Sequence, residues 1–160
     1  MIEGWLAALE ATALARGLSD SVYVYPLVNA GHILGVALLV GSIVPLDLRL
    51  VFAWRAVPLV PLWHVLTRTA AAGLALAVVF GALLFITRAT EYAESTLFLV
   101  KMAVVAVGAS NALALRIVGH AQVMQMRTAP TPPRRLRVAG GISLTAWLTA
   151  LALGRLVGYF

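Results

Sequence analysis

The chain has 160 residues, 62% of them apolar and 11% charged, with a mean hydropathy of +0.97. So short a chain buries too little of its surface to hide that much apolar area from water, which nearly excludes a soluble domain and points to lipid as the solvent. The lack of cysteine rules out disulfides, Cys-ligated zinc, iron–sulfur clusters, a thiol nucleophile and c-type haem attachment, and the +6 charge falls between apolar stretches, a pattern of membrane orientation and not of nucleic-acid binding.

Residues 1–20 read as an amphipathic interfacial helix, with Ile2, Trp5, Leu6, Leu9 and Ala13 on one face. It does not read as a convincing signal peptide, because no basic segment opens it and Glu10 interrupts the apolar run. Ser19, Asp20 and Ser21 are the N-cap candidates for the next helix.

Residues 21–160 divide by their charge gaps. No charged residue lies between Asp20 and Asp47, between Arg68 and Arg88, or between Arg137 and Arg155. A spanning helix needs roughly 20 mainly apolar residues. The spacing predicts spans over residues 22–44, 67–87, 96–118 and 138–159, an all-α integral-membrane four-helix bundle. Lys101 and Arg155 are expected to reach the interface along their stems. Pro58 and Pro61 mark an interfacial turn before the second span, and Thr128–Pro133 a loop before the fourth. Asp47 falls beyond the first span, so no carboxylate relay is expected within the membrane.

Eight of the twelve cations lie in the connections after the first and third spans or, as Arg68 and Arg116 do, at the span ends that adjoin them. Those connections are therefore expected in the cytoplasm and both termini in the periplasm, as in a bacterial inner-membrane protein. Helix packing is expected at Gly31 and Gly35, Gly73 and Gly81, Gly108, and Gly154 and Gly158, where small residues let backbones approach.

Polar side chains at membrane depth need partners. Asn29 and His32 share a stripe of the first span that is expected to face the bundle interior, with Asn111 of the third as a candidate partner. Lys101 is expected near Glu91, Glu94 or Asp20. The haem-ligand candidates are His32, His64 and His120, of which His64 and His120 match in depth while His32 lies near the midplane. Three histidines cannot supply two bis-histidine haems, so a single haem b is the cofactor that remains open. His120, Met124 and Met126 form an H-x3-M-x-M cluster whose imidazole and thioethers suit Cu(I); methionine is also a common apolar filler. No phosphate loop and no Ser–His–Asp set is present, so no catalytic residue is assigned.

The stretches YPLVNAGHILGVALLVGSIVPLDLRL (Tyr25–Leu50), LLFITRATEYAESTLFLVKM (Leu83–Met102) and SNALAL (Ser110–Leu115) resemble a family of small four-span bacterial membrane proteins defined as a domain of unknown function. The first span is also distantly similar to copper-resistance membrane proteins of the D type. The resemblance implies a four-helix inner-membrane protein and carries no activity with it. His64 and the His120–Met126 segment stand outside it.

The sequence favours a non-catalytic scaffold or accessory membrane subunit, surrounded by lipid and docking a membrane or periplasmic protein. Its alternatives are a single-haem electron-transfer or quinone-interacting subunit, and a copper- or small-solute-handling protein.

Overall fold

A computed structural model describes residues 2–126 and 131–159. The expected loop and Arg127 thus lie partly outside the described residues, at 127–130. The described residues hold eight α-helices and a π-helical turn. Four helices are long and apolar enough to cross a membrane: α3 (Val24–Val51), α4 (Leu59–Thr87), α6 (Thr96–Ala114) continuing through the π turn (Leu115–Gly119) into α7 (His120–Gln125), and α8 (Arg134–Leu156). Short helices α1 (Ile2–Glu10), α2 (Ala13–Asp20) and α5 (Ala89–Glu94) gather at the end that carries the N-terminus. The chain is an all-α four-helix bundle.

The N-terminal segment is two helices where one was expected. Thr12 is responsible: its hydroxyl donates to Leu9 O at 2.8 Å and accepts the Ala15 N–H at 3.2 Å, closing α1 and capping α2. The Arg16 guanidinium fixes the corner by donating to Ala11 O at 2.6 and 3.0 Å. Glu10 accepts the Thr90 N–H at 2.7 Å, which ties α1 to α5. Of the expected caps, Ser19 and Asp20 lie in α2 and the N-cap of α3 is Tyr23, with no side-chain cap; the Ser21 hydroxyl nevertheless accepts the Val24 N–H at 3.1 Å.

Four boundaries move outward from the charge-gap reading, all at the arginine-rich end. The third span runs on to Gln125 instead of residue 118, and α8 starts at Arg134 instead of residue 138. Helix α3 continues past Val44, through Pro45, to Val51. Pro45 cannot donate to Gly41 O, a defect that membrane helices accommodate. Helix α4 starts at Leu59, so the Pro58–Pro61 stretch is its first turn, not an interfacial loop. Pro58 is the N-cap, and Pro61 sits where the backbone has no intrahelical acceptor for an N–H.

Helices α3 and α4 form the closest pair. At their crossing a Cβ on Gly73 would lie 2.5 Å from Leu39 N, and one on Gly35 would run into the backbone of Ala77. Gly31 faces the Phe80 ring, Gly81 the His32 ring, and Gly108 the indole of Trp147. Gly154 faces the Lys101 stem, while Gly158 meets only its own segment. The core has two parts. Leu39, Ile43, Ala70 and Trp147 pack in one. Leu46, Leu50, Leu59, Trp63, Val123 and Leu136 pack in the other, toward the arginine-rich end.

The π turn serves that second cluster. Leu115, Gly119 and Val123 recur every four residues, a spacing that drifts around a helix of 3.6 residues per turn. A wider i→i+5 turn absorbs the drift. Gly119 then meets Leu136 and Trp63, and Val123 is fully buried.

Candidate functional site

Helix α3 places its interior face through Val28, Gly35, Leu39, Ser42, Ile43, Leu46 and Leu50. His32 borders that face. Its Nδ1 lies 2.8 Å from Ala77 O on α4, and because a carbonyl only accepts, Nδ1 carries the proton. The ring fits because Gly81 has no side chain to oppose it. Asn29 lies only one residue, about 100° of helix, from Val28 and is exposed instead of interior. Asn111 is half-buried at the contact of α6 with α8, where its Nδ2 donates to Ala139 O at 3.0 Å, not to His32. Both spans are thus pinned through a neighbour's main chain. His32→Ala is expected to lower stability in detergent by about 0.5–2 kcal/mol, the range of one such membrane hydrogen bond plus its ring contacts. A thermal midpoint read from tryptophan fluorescence checks it.

Lys101 does not reach the expected carboxylates. Its stem lies against Gly154 and its ammonium 5.9 Å from the Phe98 ring centre. Among the described residues the ion pair is Arg88–Glu91, 3.4 Å long and exposed. Nearby, Phe85, Tyr92 and Phe98 stack with centroids 5.1–6.2 Å apart. Burial among these rings pushes the Tyr92 hydroxyl above the ordinary phenol range.

At the arginine-rich end, α4 and α7 bring His64 and His120 together, with ring centroids 5.7 Å apart and planes at 76°. An imidazole nitrogen sits about 2.0–2.1 Å from a bound ion and its ring centre about 1 Å further back, so two rings sharing one ion have centres at most about 6.4 Å apart. The observed spacing falls below that limit, which fits a bent arrangement about one ion and not the straight one of two axial haem ligands. His32, hydrogen-bonded halfway along α4, is not part of this pair. Met124 and Met126 pack against the cluster around Trp63. Among the described residues no three His, Asp or Glu side chains converge as a metal set.

The bundle also buries charges that charge-gap reasoning leaves at the surface. Asp47 is inside the spanning helix, 2% exposed, beside Ser143 of α8, and its Oδ2 has no partner among the described residues. Gly140 makes room there, since a Cβ would lie 3.1 Å from Leu50 and 3.4 Å from Asp47 O. Arg49 is 4% exposed and donates from Nε to Val57 O at 2.9 Å and from Nη2 to Arg55 O at 3.1 Å. It holds the α3–α4 connection, in which Trp54 takes a left-handed φ of 47°. The sequence signal for this burial is periodic: Leu39, Ile43, Asp47 and Leu50 fall on one helical face.

No family model, no curated protein and no solved structure matches the chain.

Proposed function

We propose that this multi-pass chain is a non-catalytic scaffold or accessory subunit of a bacterial inner membrane, with its arginine-rich connections in the cytoplasm and both termini in the periplasm. One observation supports it above the others: His32 Nδ1, Asn111 Nδ2 and two of the three guanidinium nitrogens of Arg49 are engaged by main-chain carbonyls of the chain's own helices and of the α3–α4 connection, while Arg49 Nη1 has no partner among the described residues. Side chains used this way fix helix registry and leave little for substrate chemistry. The resemblance read from Tyr25–Leu50 and Leu83–Met102 agrees with such a protein and adds no activity. A membrane or periplasmic protein is the partner this role requires.

A second reading has its own observation, the His64–His120 pair, whose spacing allows both imidazoles to reach one soft metal ion at a bent angle and falls short of the trans arrangement that one haem iron requires. One preparation separates the two. Expressed with ample haem and copper and purified in mild detergent, the scaffold shows no Soret band that shifts on dithionite and no stoichiometric metal. From native membranes it migrates in a complex larger than its own mass. A b-type spectrum or one metal per chain, lost in His64→Ala, overturns the scaffold reading in favour of the second. A reporter inserted at residues 52–58 that is active in the periplasm overturns the sidedness.

A further inference from the structure

Helix α6 is the outermost span: within Thr96–Ala114 only Gly108 is buried. Between it and α8 runs an open groove. Its arginine-rich end is a cavity of about 480 Å³ lined by Asn111, Arg134, Arg135, Val138, Ala139 and Ile142. Ile142 also lines the next stretch, about 620 Å³, walled by Val100, Val104 and Val107 on one side and Thr145 and Thr149 on the other. The first stretch is cationic and the second nearly all apolar. Gly141, on the wall of the second, has nothing within 4 Å of where a Cβ would lie.

The charges at the mouth have the wrong sign for their place. Arg134, Arg135 and Arg137 occupy the first turn of α8, at the positive end of the helix dipole, where acidic residues are favoured. That turn has no acidic residue, and Pro133 supplies no side-chain cap. No aspartate or glutamate follows Glu94 anywhere in the chain. An anion at this spot answers both the arginines and the free first-turn N–H groups. The length also fits. From Arg134 to Thr149 the helix rises about 22 Å, against roughly 20–22 Å for half of a bilayer with its headgroups.

We propose that this groove binds one anionic glycerophospholipid of the leaflet at the arginine-rich end, its phosphate on Arg134 and Arg135 and an acyl chain between α6 and α8. Basic pockets between membrane helices recognise headgroups in this way. Native mass spectrometry of the full chain in detergent tests it, with phosphatidylglycerol and phosphatidylcholine of identical acyl chains as probes. One phosphatidylglycerol per chain is expected to be retained about tenfold more tightly than phosphatidylcholine, and millimolar glycerol phosphate should not displace it. The double variant Arg134→Gln/Arg135→Gln is expected to lose that preference. Gly141→Trp, growing into open space, should weaken both lipids and keep the preference. Equal retention of the two lipids by the unaltered chain overturns the proposal, as does a double variant that keeps the preference. Displacement by glycerol phosphate identifies a site for free phosphate and overturns the lipid assignment. A chain that closes the groove by dimerising also overturns it. If the double variant does not fold, each arginine variant is read singly beside Gly141→Trp, with helicity measured by circular dichroism.

Discussion

Gly35→Leu or Gly73→Leu is expected to destabilise the bundle by about 3 kcal/mol or more, at the upper end of what overpacking costs. The obstacle at each position is backbone. A Cβ on Gly73 would stand 2.5 Å from Leu39 N and 2.8 Å from Gly35 O. A flexible side chain could turn aside, but a helical main chain moves only if α3 and α4 separate. Separation also breaks the His32–Ala77 hydrogen bond one turn further along the same interface. The thermal midpoint in detergent should fall by about 6–12 °C, taking 2–4 °C per kcal/mol for a chain of this size. Gly41 is the internal comparison, because a Cβ there meets nothing within 4 Å. Gly41→Ala is expected to be neutral or to stabilise by up to about 1 kcal/mol, the gain in helix propensity. If Gly73→Leu and Gly41→Ala behave alike, the close α3–α4 crossing is wrong.

Much of this architecture is legible in the sequence because lipid imposes a coarse rule. Charges are costly in hydrocarbon, so the gaps from Asp20 to Asp47 and Arg68 to Arg88 mark spans, and all four spanning helices are present. The rule misreads helix ends because it treats a charge as a boundary. Asp47 and Arg49 continue α3 because Ser143, Gly140 and the connection at Arg55–Val57 enclose them, and such enclosure comes from residues far away in the chain.

The partners of His32 and Asn111 were beyond reach for another reason. Both are main-chain carbonyls, Ala77 O and Ala139 O, and a carbonyl leaves no mark on residue type. The His64–His120 approach was readable as equal depth, since α4 and α7 each place their histidine near the same end, but not as a distance. Asn29 shows the limit of a stripe drawn from spacing alone. Near Val28, a step of one residue carries a side chain from the interior to the surface.

Arg49→Met is expected to destabilise the chain by about 3 kcal/mol or more. Hydrogen bonds from a charged group contribute about 1.5–3 kcal/mol each, and Arg49 makes two, to Val57 O and Arg55 O. The methionine fills much of the same volume, so the loss reports the donors and not a cavity. Arg49→Lys keeps the charge but replaces a planar fork by a point donor, and it is expected to recover less than half of the loss. The effect should concentrate in the connection that Arg49 holds. Residues 52–58 carry the left-handed Trp54 and only one internal backbone hydrogen bond, from Val57 N to Trp54 O. Released from Arg49, that connection should become the first site cut by trypsin, after the exposed Arg55, well before any spanning helix opens. Timed proteolysis of the unaltered chain, Arg49→Met and Arg49→Lys in detergent reads this order directly. Equal cleavage rates after Arg55 in all three would mean that the guanidinium does not restrain the connection, and that its burial serves only the packing of α3.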